Sequence, residues 1–206
     1  MTHKDGMPPV WFRLPPGFHD IGPEDRASLD AVAQALDSQD AQRELAQLMD
    51  GLDELAGLDV VHTAIGLHPD DPVGVCTSLF SMTVRLAGDP SPRVAAARTA
   101  LGIARSPLWE ASLRRCIDLA SSLPCYLIAG TLALSGSKQR VFQARIAACH
   151  PGGMHVLVLD LTSAAIQHGA AYTDILEAIA HTISFTDPNP SPSAAPMTSR
   201  ISELLL

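Results

Sequence analysis

Aromatic residues are scarce in this chain of 206 residues, since Phe, Trp and Tyr together make up 4% of it. A core of ordinary size is nevertheless available, because 47% of the residues are hydrophobic and 17% are charged. This balance is typical of globular proteins and excludes a chain that is disordered throughout. Leu, Val, Ile and Ala must therefore build the interior, and the length suits one domain with short appendages.

Long apolar runs are absent as well. No stretch approaches the roughly 20 apolar residues that a membrane-spanning helix requires. The longest apolar segments, 125–134 and 154–161, have the length of strands. The opening residues, MTHKDGMPP, have no apolar run after Lys4 and do not read as a secretory signal. We therefore expect a cytoplasmic, bacterial protein without a membrane span.

Cysteines with C-x-x-C spacing are missing. The four cysteines are Cys76, Cys116, Cys125 and Cys149. Such wide spacing, without secretory features, predicts reduced thiols that are buried as small apolar groups. Cys149, His150 and His155 could supply at most three ligands, whereas a structural zinc site needs four. The sequence therefore predicts no metal site and no cofactor.

Motifs for catalysis and nucleotide binding are also missing, including G-x-x-x-x-G-K-[ST], G-x-G-x-x-G, G-x-S-x-G and H-E-x-x-H. Residues 135–138 (SGSK) contain a glycine and a lysine, but a strand–strand turn offers no helix N-terminus to a phosphate. A nucleophilic thiol at Cys149 or Cys125 would need a base supplied by tertiary contact. We name no catalytic residue and expect no enzymatic activity.

Basic residues are few near the N-terminus. Residues 19–59 contain eleven Asp and Glu against two Arg, whereas residues 60–185 contain eight acidic and nine basic residues. An acidic segment repels phosphate backbones, so nucleic acid is not expected as a partner. The acidic segment has two interpretations: a solvated helix face, or a docking face for a protein with a basic surface.

What the sequence does contain is a change of apolar period. Apolar residues recur at helical spacing over 24–56 and predict an N-terminal helical hairpin, with Leu29, Val32, Ala33 and Leu36 on one face of its first helix and Leu45, Leu48, Met49, Leu52 and Leu55 on one face of its second. From Val60 onward the period becomes two. Phe80, Met82 and Val84 alternate with polar residues, a pattern typical of a sheet with one buried and one wetter face.

The remaining segments predict strands joined by short turns, together with two further helices. Strands are expected at 10–14, 60–67, from Trp109 onward, and at 125–134, 141–149 and 154–161. Short connections favour antiparallel neighbours. An Ala-rich helix should end near Ala104, and another should cover 171–181. We therefore predict an α+β fold: a mostly antiparallel sheet flanked by helices, with the helical hairpin at its N-terminus and a disordered C-terminal tail.

The composition changes abruptly after Phe185. Residues 187–196 (DPNPSPSAAP) are rich in Pro and Ser and predict a mobile linker. The last residues predict a short amphipathic segment that is unstable as an isolated helix. We divide the chain into a flexible N-terminus (1–9), an α+β domain (10–185) and a tail (186–206), and we predict that the tail binds a protein partner through Ile201, Leu204 and Leu205.

Several short segments resemble the PsbP/Mog1-like superfamily, which includes chaperones that load secretion effectors. Residues 11–18 (WFRLPPGF) resemble its strand followed by P-P-G-F/W. Residues 117–119, before the 125–134 strand, are similar to its central hairpin, and residues 141–160 with 175–185 to its closing β-β-α unit. The resemblance implies an antiparallel sheet flanked by helices, and binding rather than catalysis.

Three functions follow as hypotheses. The first is a non-enzymatic adaptor or chaperone that serves secretion or assembly, acting alone or as a homo-oligomer. The second is a small-molecule-binding regulatory domain with an apolar cleft between sheet and hairpin, lined by Trp11, Met82 and Trp109. The third is an enzyme of unrecognised type, which would need a pocket where polar groups converge, such as His62, Arg115 or His155.

Overall fold

The computed structural model describes residues 8–22, 25, 59–70, 74–88, 91–119, 124–133 and 140–186. Within these ranges, seven strands form one sheet: β1 (Phe18–Asp20), β2 (Val60–Asp70), β3 (Gly74–Leu86), β4 (Trp109–Asp118), β5 (Pro124–Ala133), β6 (Arg140–Cys149) and β7 (His155–Ser163). Their order is β1-β2-β3-β7-β6-β5-β4, and every neighbouring pair is antiparallel.

Two helices pack on opposite faces of the sheet. Helix α1 (Pro92–Ala104) connects β3 to β4, and helix α2 (Gly169–His181) follows β7 after a short 3-10 turn. Pro92 suits the first turn of α1, where its missing N–H leaves no hydrogen bond unmade. Because successive side chains of a strand point to opposite faces, Ile146 packs on the α2 side of β6 whereas Ala147 packs under α1.

The α2 face holds the larger part of the core. Its strands contribute large aliphatic and aromatic side chains, including Phe80, Met82, Leu127, Ile146, Leu157, Leu159 and Leu161, and helix α2 contributes Tyr172, Leu176 and Ile179. Residues of the N-terminal segment, among them Phe12, pack against the same cluster. Full burial of one such side chain stabilises the fold by roughly 1.5–3 kcal/mol. This face therefore supplies most of the hydrophobic stabilisation.

The α1 face is built from small residues. The helix buries four alanines, Ala95, Ala96, Ala100 and Ala104. They lie on Cys149 and Val156 at one end and on Ile128 and Ala147 at the other. Helix α1 packs mainly on β5 and β6 and less on β7. On this face, neither described helix covers the part of β7 beside α1 or the adjoining strand β3.

The fold-class prediction is wrong as stated. The described fold is dominated by one seven-stranded sheet with a single helix on each face, and no helical hairpin belongs to it. Apart from Asp25, the hairpin residues 24–56 lie outside the described residues, as does the tail from 187 to 206. The sheet dominates because β2 and β3 are 11 and 13 residues long.

The first predicted strand also requires correction. Within 10–14, only Trp11 makes a bridge, to Ser184, and the first strand of the sheet is Phe18–Asp20. Two prolines follow the 10–14 segment and cannot donate ladder hydrogen bonds. Gly17, with φ of 92°, then turns the chain into β1. The segment instead lays Phe12 on the core.

The other strands and the two helices after residue 60 confirm the predicted elements, with small shifts of their ends. Strand β7 is the fourth of seven and lies at the centre of the sheet. None of the helices in the described part of the chain has the length and hydropathy to cross a membrane.

Candidate functional site

A groove of about 710 Å³ runs along the α1 face between helix α1 and strands β3 and β7. One wall is a stripe of the helix at successive turns, comprising Ala95, Thr99, Gly102 and Ile103. The floor is formed by side chains of β7 and β3, including Val156, Val158, Ser81 and Thr83. Small-molecule sites have volumes of roughly 300–1,000 Å³ and combine apolar walls with a few polar groups. The groove therefore has the size and lining of a binding site.

The strand register places two rows of residues, those of Asp160 and Arg85, at opposite ends of the groove. Asp160 of β7 lies opposite Ser81 of β3 and Arg145 of β6, so these three residues form one row across the sheet. Arg85 lies opposite Val156, four residues away along β7. Since a strand advances by about 3.4 Å per residue, the two rows are about 14 Å apart. The groove is thus elongated along the strands.

A polar network occupies the Asp160 end. The Asp160 carboxylate accepts hydrogen bonds from Gln143 Nε2 at 3.0 Å and from Thr162 Oγ1 at 2.8 Å, both on Oδ1. Arg145 binds the other oxygen through its Nε. Gln143 and the Asp160 side chain are only 9% and 15% exposed. A carboxylate this buried must be well paired, and the network holds it in place.

The groove lining is positively charged. Among the described residues that line it, Arg85, Arg98 and Arg145 are basic and Asp160 is acidic, so these residues carry a formal charge of three minus one, or +2. The whole chain carries −8. A cleft lined by one sign of charge concentrates ligands of the opposite sign. The groove is therefore electropositive within an acidic protein.

A second polar cluster lies on the α2 face. The His68 Nε2 and Ser78 Oγ atoms are 2.8 Å apart. Tyr172 donates its hydroxyl to Cys76 Sγ at 3.1 Å. Burial, and then the charge of His168, lower the pKa of His68. Although a histidine beside a serine is a catalytic arrangement, Ser78 is 3% exposed and its hydroxyl has no surface for a substrate. We therefore assign this cluster to the packing of the core and not to an active site.

Among the described residues, no hydrogen bond joins Cys125 or Cys149, the thiols considered as nucleophiles, to an imidazole ring. Cys149 Sγ lies 3.2 Å from the backbone carbonyl oxygen of His155, not from its ring. Burial raises the pKa of Cys149. Burial, followed by Cys116 and Glu177, raises the pKa of Cys125 to about 12. All four cysteines are free, but Cys116 is exposed, in contrast to the expectation that the thiols are buried.

The residues proposed for an apolar cleft do not meet. Met82 is buried in the α2-face core. Trp109 lies on the opposite face, where its indole nitrogen donates to the Ile103 carbonyl at 2.9 Å. Trp11 bridges to Ser184. The prediction that these three residues line a cleft is wrong, and the wall of the observed groove is α1.

The polar groups proposed for an enzyme pocket are also dispersed. His62 Nε2 lies 3.2 Å from Asp20 Oδ1. Arg115 forms an ion pair with Glu177 of α2. His155 begins β7, beside the turn that carries His150. Across the described ranges, no group of three or more His, Cys, Asp and Glu side chains is placed to hold a metal ion.

The groove residues were missed, although the sequence carried a signal for them. Single charged residues interrupt two apolar strands, Arg145 in RVFQARIAAC and Asp160 in HVLVLDLTS. A charge in an apolar central strand needs a partner. Nothing in the local pattern identifies that partner, because the two residues are 15 positions apart. The predicted contact residues Ile201, Leu204 and Leu205 lie outside the described residues.

Comparisons with known proteins identify the fold alone. No family model matches the chain, and no curated protein matches it. Among the solved structures, it is similar to LpqN of Mycobacterium tuberculosis, a protein involved in cell envelope biogenesis. The two chains are 14% identical, the match covers 87% of this chain and 84% of LpqN, and the TM-score is 0.50.

Proposed function

We propose that this chain is a non-enzymatic binding protein, an adaptor that holds an elongated and partly apolar ligand in the groove beside α1. The observation that carries the proposal is the groove itself, which has a volume of about 710 Å³ and mixes the apolar side chains of Val156, Val158 and Ile103 with polar and charged ones. A cleft of this kind favours a ligand with an apolar middle.

The polar groups of the groove favour binding over catalysis. Both oxygens of Asp160 accept hydrogen bonds from its neighbours, so the carboxylate is engaged rather than poised to take a proton. A general base must lie within hydrogen-bond reach of the proton it removes. The groove floor beside Asp160 consists of valine and hydroxyl side chains. Such a surface positions a ligand without reacting with it.

A role in building the cell envelope is part of this proposal. LpqN, which has a similar fold, is described as involved in cell envelope biogenesis, and we extend that setting to this chain. The predicted membership of the PsbP/Mog1-like superfamily would imply binding rather than catalysis, as an adaptor requires. That membership, the cytoplasmic location, the domain boundaries and the partner contact of the tail all stay predictions.

Filling the groove tests the proposal. Gly102 lines the groove, and a Cβ atom at this position would have no neighbour within 4 Å. Gly102→Trp should therefore occupy the groove without disturbing the fold. Leu101→Trp is the matched control, because Leu101 is exposed on the same helix and does not line the groove.

The readout is the fluorescence of N-phenyl-1-naphthylamine, a neutral apolar probe, titrated with the full chain. We expect the native chain and Leu101→Trp to bind the probe, and Gly102→Trp to bind it at least about tenfold more weakly. The proposal fails if the native chain does not bind the probe, or if both variants bind it equally well.

A further inference from the structure

We infer that the groove selects ligands that carry an anionic group, a carboxylate or a phosphate, and that Arg145 receives this group. The inference rests on the proposed function of the groove and names the chemistry of its ligand. Its starting point is the contact between Arg145 and Asp160, which uses the side of the guanidinium group.

Arg145 is held in place by its neighbours. Asp160 binds Arg145 through Nε, and the same carboxylate is fixed by Gln143 and Thr162. A second hydrogen bond, of 3.0 Å, joins Gln143 to Thr162. Each member of this network therefore restrains the others. A guanidinium held in this way loses little conformational freedom when it binds a ligand.

The contact with Asp160 leaves the outer edge of the guanidinium for a ligand. An arginine that serves only as an ion-pair partner often presents two parallel N–H groups to a carboxylate. Here Asp160 takes Nε, and the two terminal nitrogens are not used in that contact. Arg145 is 36% exposed and lines the groove. Its terminal nitrogens can form the planar fork that matches a carboxylate or phosphate.

The charge of the groove supports the same ligand class. The described residues that line the groove carry a formal charge of +2. A cleft lined by positive charge attracts anions. Between the rows of Arg145 and Arg85 the floor carries Val158 of β7 beside Thr83 of β3. A ligand with an anionic head at Arg145 and an apolar chain along β7 satisfies both features.

Four probes test the inference by isothermal titration calorimetry with the full chain: decanoate, decyl phosphate, decanamide and inorganic phosphate. We expect decanoate and decyl phosphate to bind at least about tenfold more tightly than decanamide, which has the same chain length and no charge. Raising the salt concentration should reduce this preference, because ions screen the attraction. These measurements require no variant.

Variants then assign the preference to Arg145. In Arg145→Gln most of the preference for the anions over decanamide should be lost, although Arg85 and Arg98 still line the groove, whereas Arg145→Lys should keep part of the preference. Arg140→Gln is the matched control: Arg140 also lies on β6 but pairs with Glu110 at 3.0 Å and does not line the groove. It removes the same charge and should keep the full preference.

The outcomes separate the two proposals. Equal binding of decanoate, decyl phosphate and decanamide overturns the anion inference and leaves the groove function standing. A tenfold preference that persists in Arg145→Gln overturns the role of Arg145. If inorganic phosphate binds as tightly as decyl phosphate, the apolar chain contributes nothing and the inferred ligand class is wrong. If no probe binds, or if Gly102→Trp binds all of them unchanged, the groove function itself fails.

Discussion

The two faces of the sheet are built on the same strands, but they differ in the size of the side chains they bury and in how completely they are packed. On the α2 face, large side chains such as Leu159 and Leu176 are fully buried. On the α1 face, the helix contributes alanines, and the neighbouring floor carries Asp160 and Arg145 in a groove. Stabilisation grows with the apolar area removed from water, so the α2 face holds the fold together. The α1 face leaves space for a ligand, and that space is where recognition is possible.

The largest expected effect on the free energy of unfolding comes from comparing substitutions at two neighbouring residues of β7. Leu159 is buried on the α2 face, whereas Val158 is half-buried on the groove floor. Leu159→Ala should lower the free energy of unfolding by about 2–5 kcal/mol, because it leaves a cavity. Val158→Ala should lower it by about 1 kcal/mol, since less apolar area is lost. Urea unfolding measures both, and similar losses would remove the contrast between the faces.

Substitutions at two glycines compare a tightly packed position with an open position on the α1 face. A Cβ atom at Gly130 of β5 would lie 1.9 Å from the backbone oxygen of Ala111, so the strands β4 and β5 would have to separate. Gly130→Ala should cost about 1–3 kcal/mol. Gly102 faces open space, and Gly102→Ala should stabilise α1 by about 0.5–1 kcal/mol. Thermal unfolding measures both, and shifts of the same sign would contradict this contrast.

Removing the carboxylate tests the network in the groove. Asp160→Ala leaves Gln143, Arg145 and Thr162 without their shared acceptor. The free energy of unfolding should fall by about 1–3 kcal/mol, the usual cost of a buried unsatisfied polar group. Asp160→Asn keeps one acceptor oxygen and should cost less. Equal losses in the two variants, measured by urea unfolding, would show that hydrogen bonding does not hold this end of the groove.

A smaller effect is expected at Tyr172 on the α2 face. Its hydroxyl donates to Cys76 Sγ at 3.1 Å, and sulfur is a weak acceptor. Tyr172→Phe should therefore lower the free energy of unfolding by about 0.5–1 kcal/mol. Urea unfolding checks the value. A loss comparable with that of Leu159→Ala would contradict the weak hydrogen bond assigned to this hydroxyl.

The smallest effect is the dependence of stability on pH through His68. Burial, then the charge of His168, lower the pKa of His68 below its ordinary value of 6.5. The unfolded chain therefore binds more protons between these two pKa values, and stability rises with pH there. His68 contributes its full stability above pH 6.5 and loses it as the pH falls toward the folded pKa. His68→Gln should flatten the slope, although His150, whose pKa is also lowered, will retain part of it.

The sequence predicted the strands after residue 60 because their signal is local. In β3 the apolar residues Phe80, Met82 and Val84 alternate with Ser81, Thr83 and Arg85, and the structure places the two sets on opposite faces. The 10–14 segment misled the prediction for a related reason. Its side chains pack on the core, as those of a strand would, but its backbone pairs only at Trp11.

By itself, the sequence determined which residues alternate in the strands after residue 60, where the chain turns between them, and that α1 is rich in alanine. The tertiary structure decided where α1 lies across β5 and β6, and hence that a groove remains over β3 and β7. It also brought Arg145 to Asp160. Periodicity records which face a side chain occupies, whereas a groove depends on how far a helix is displaced along a sheet, and no local pattern encodes that distance.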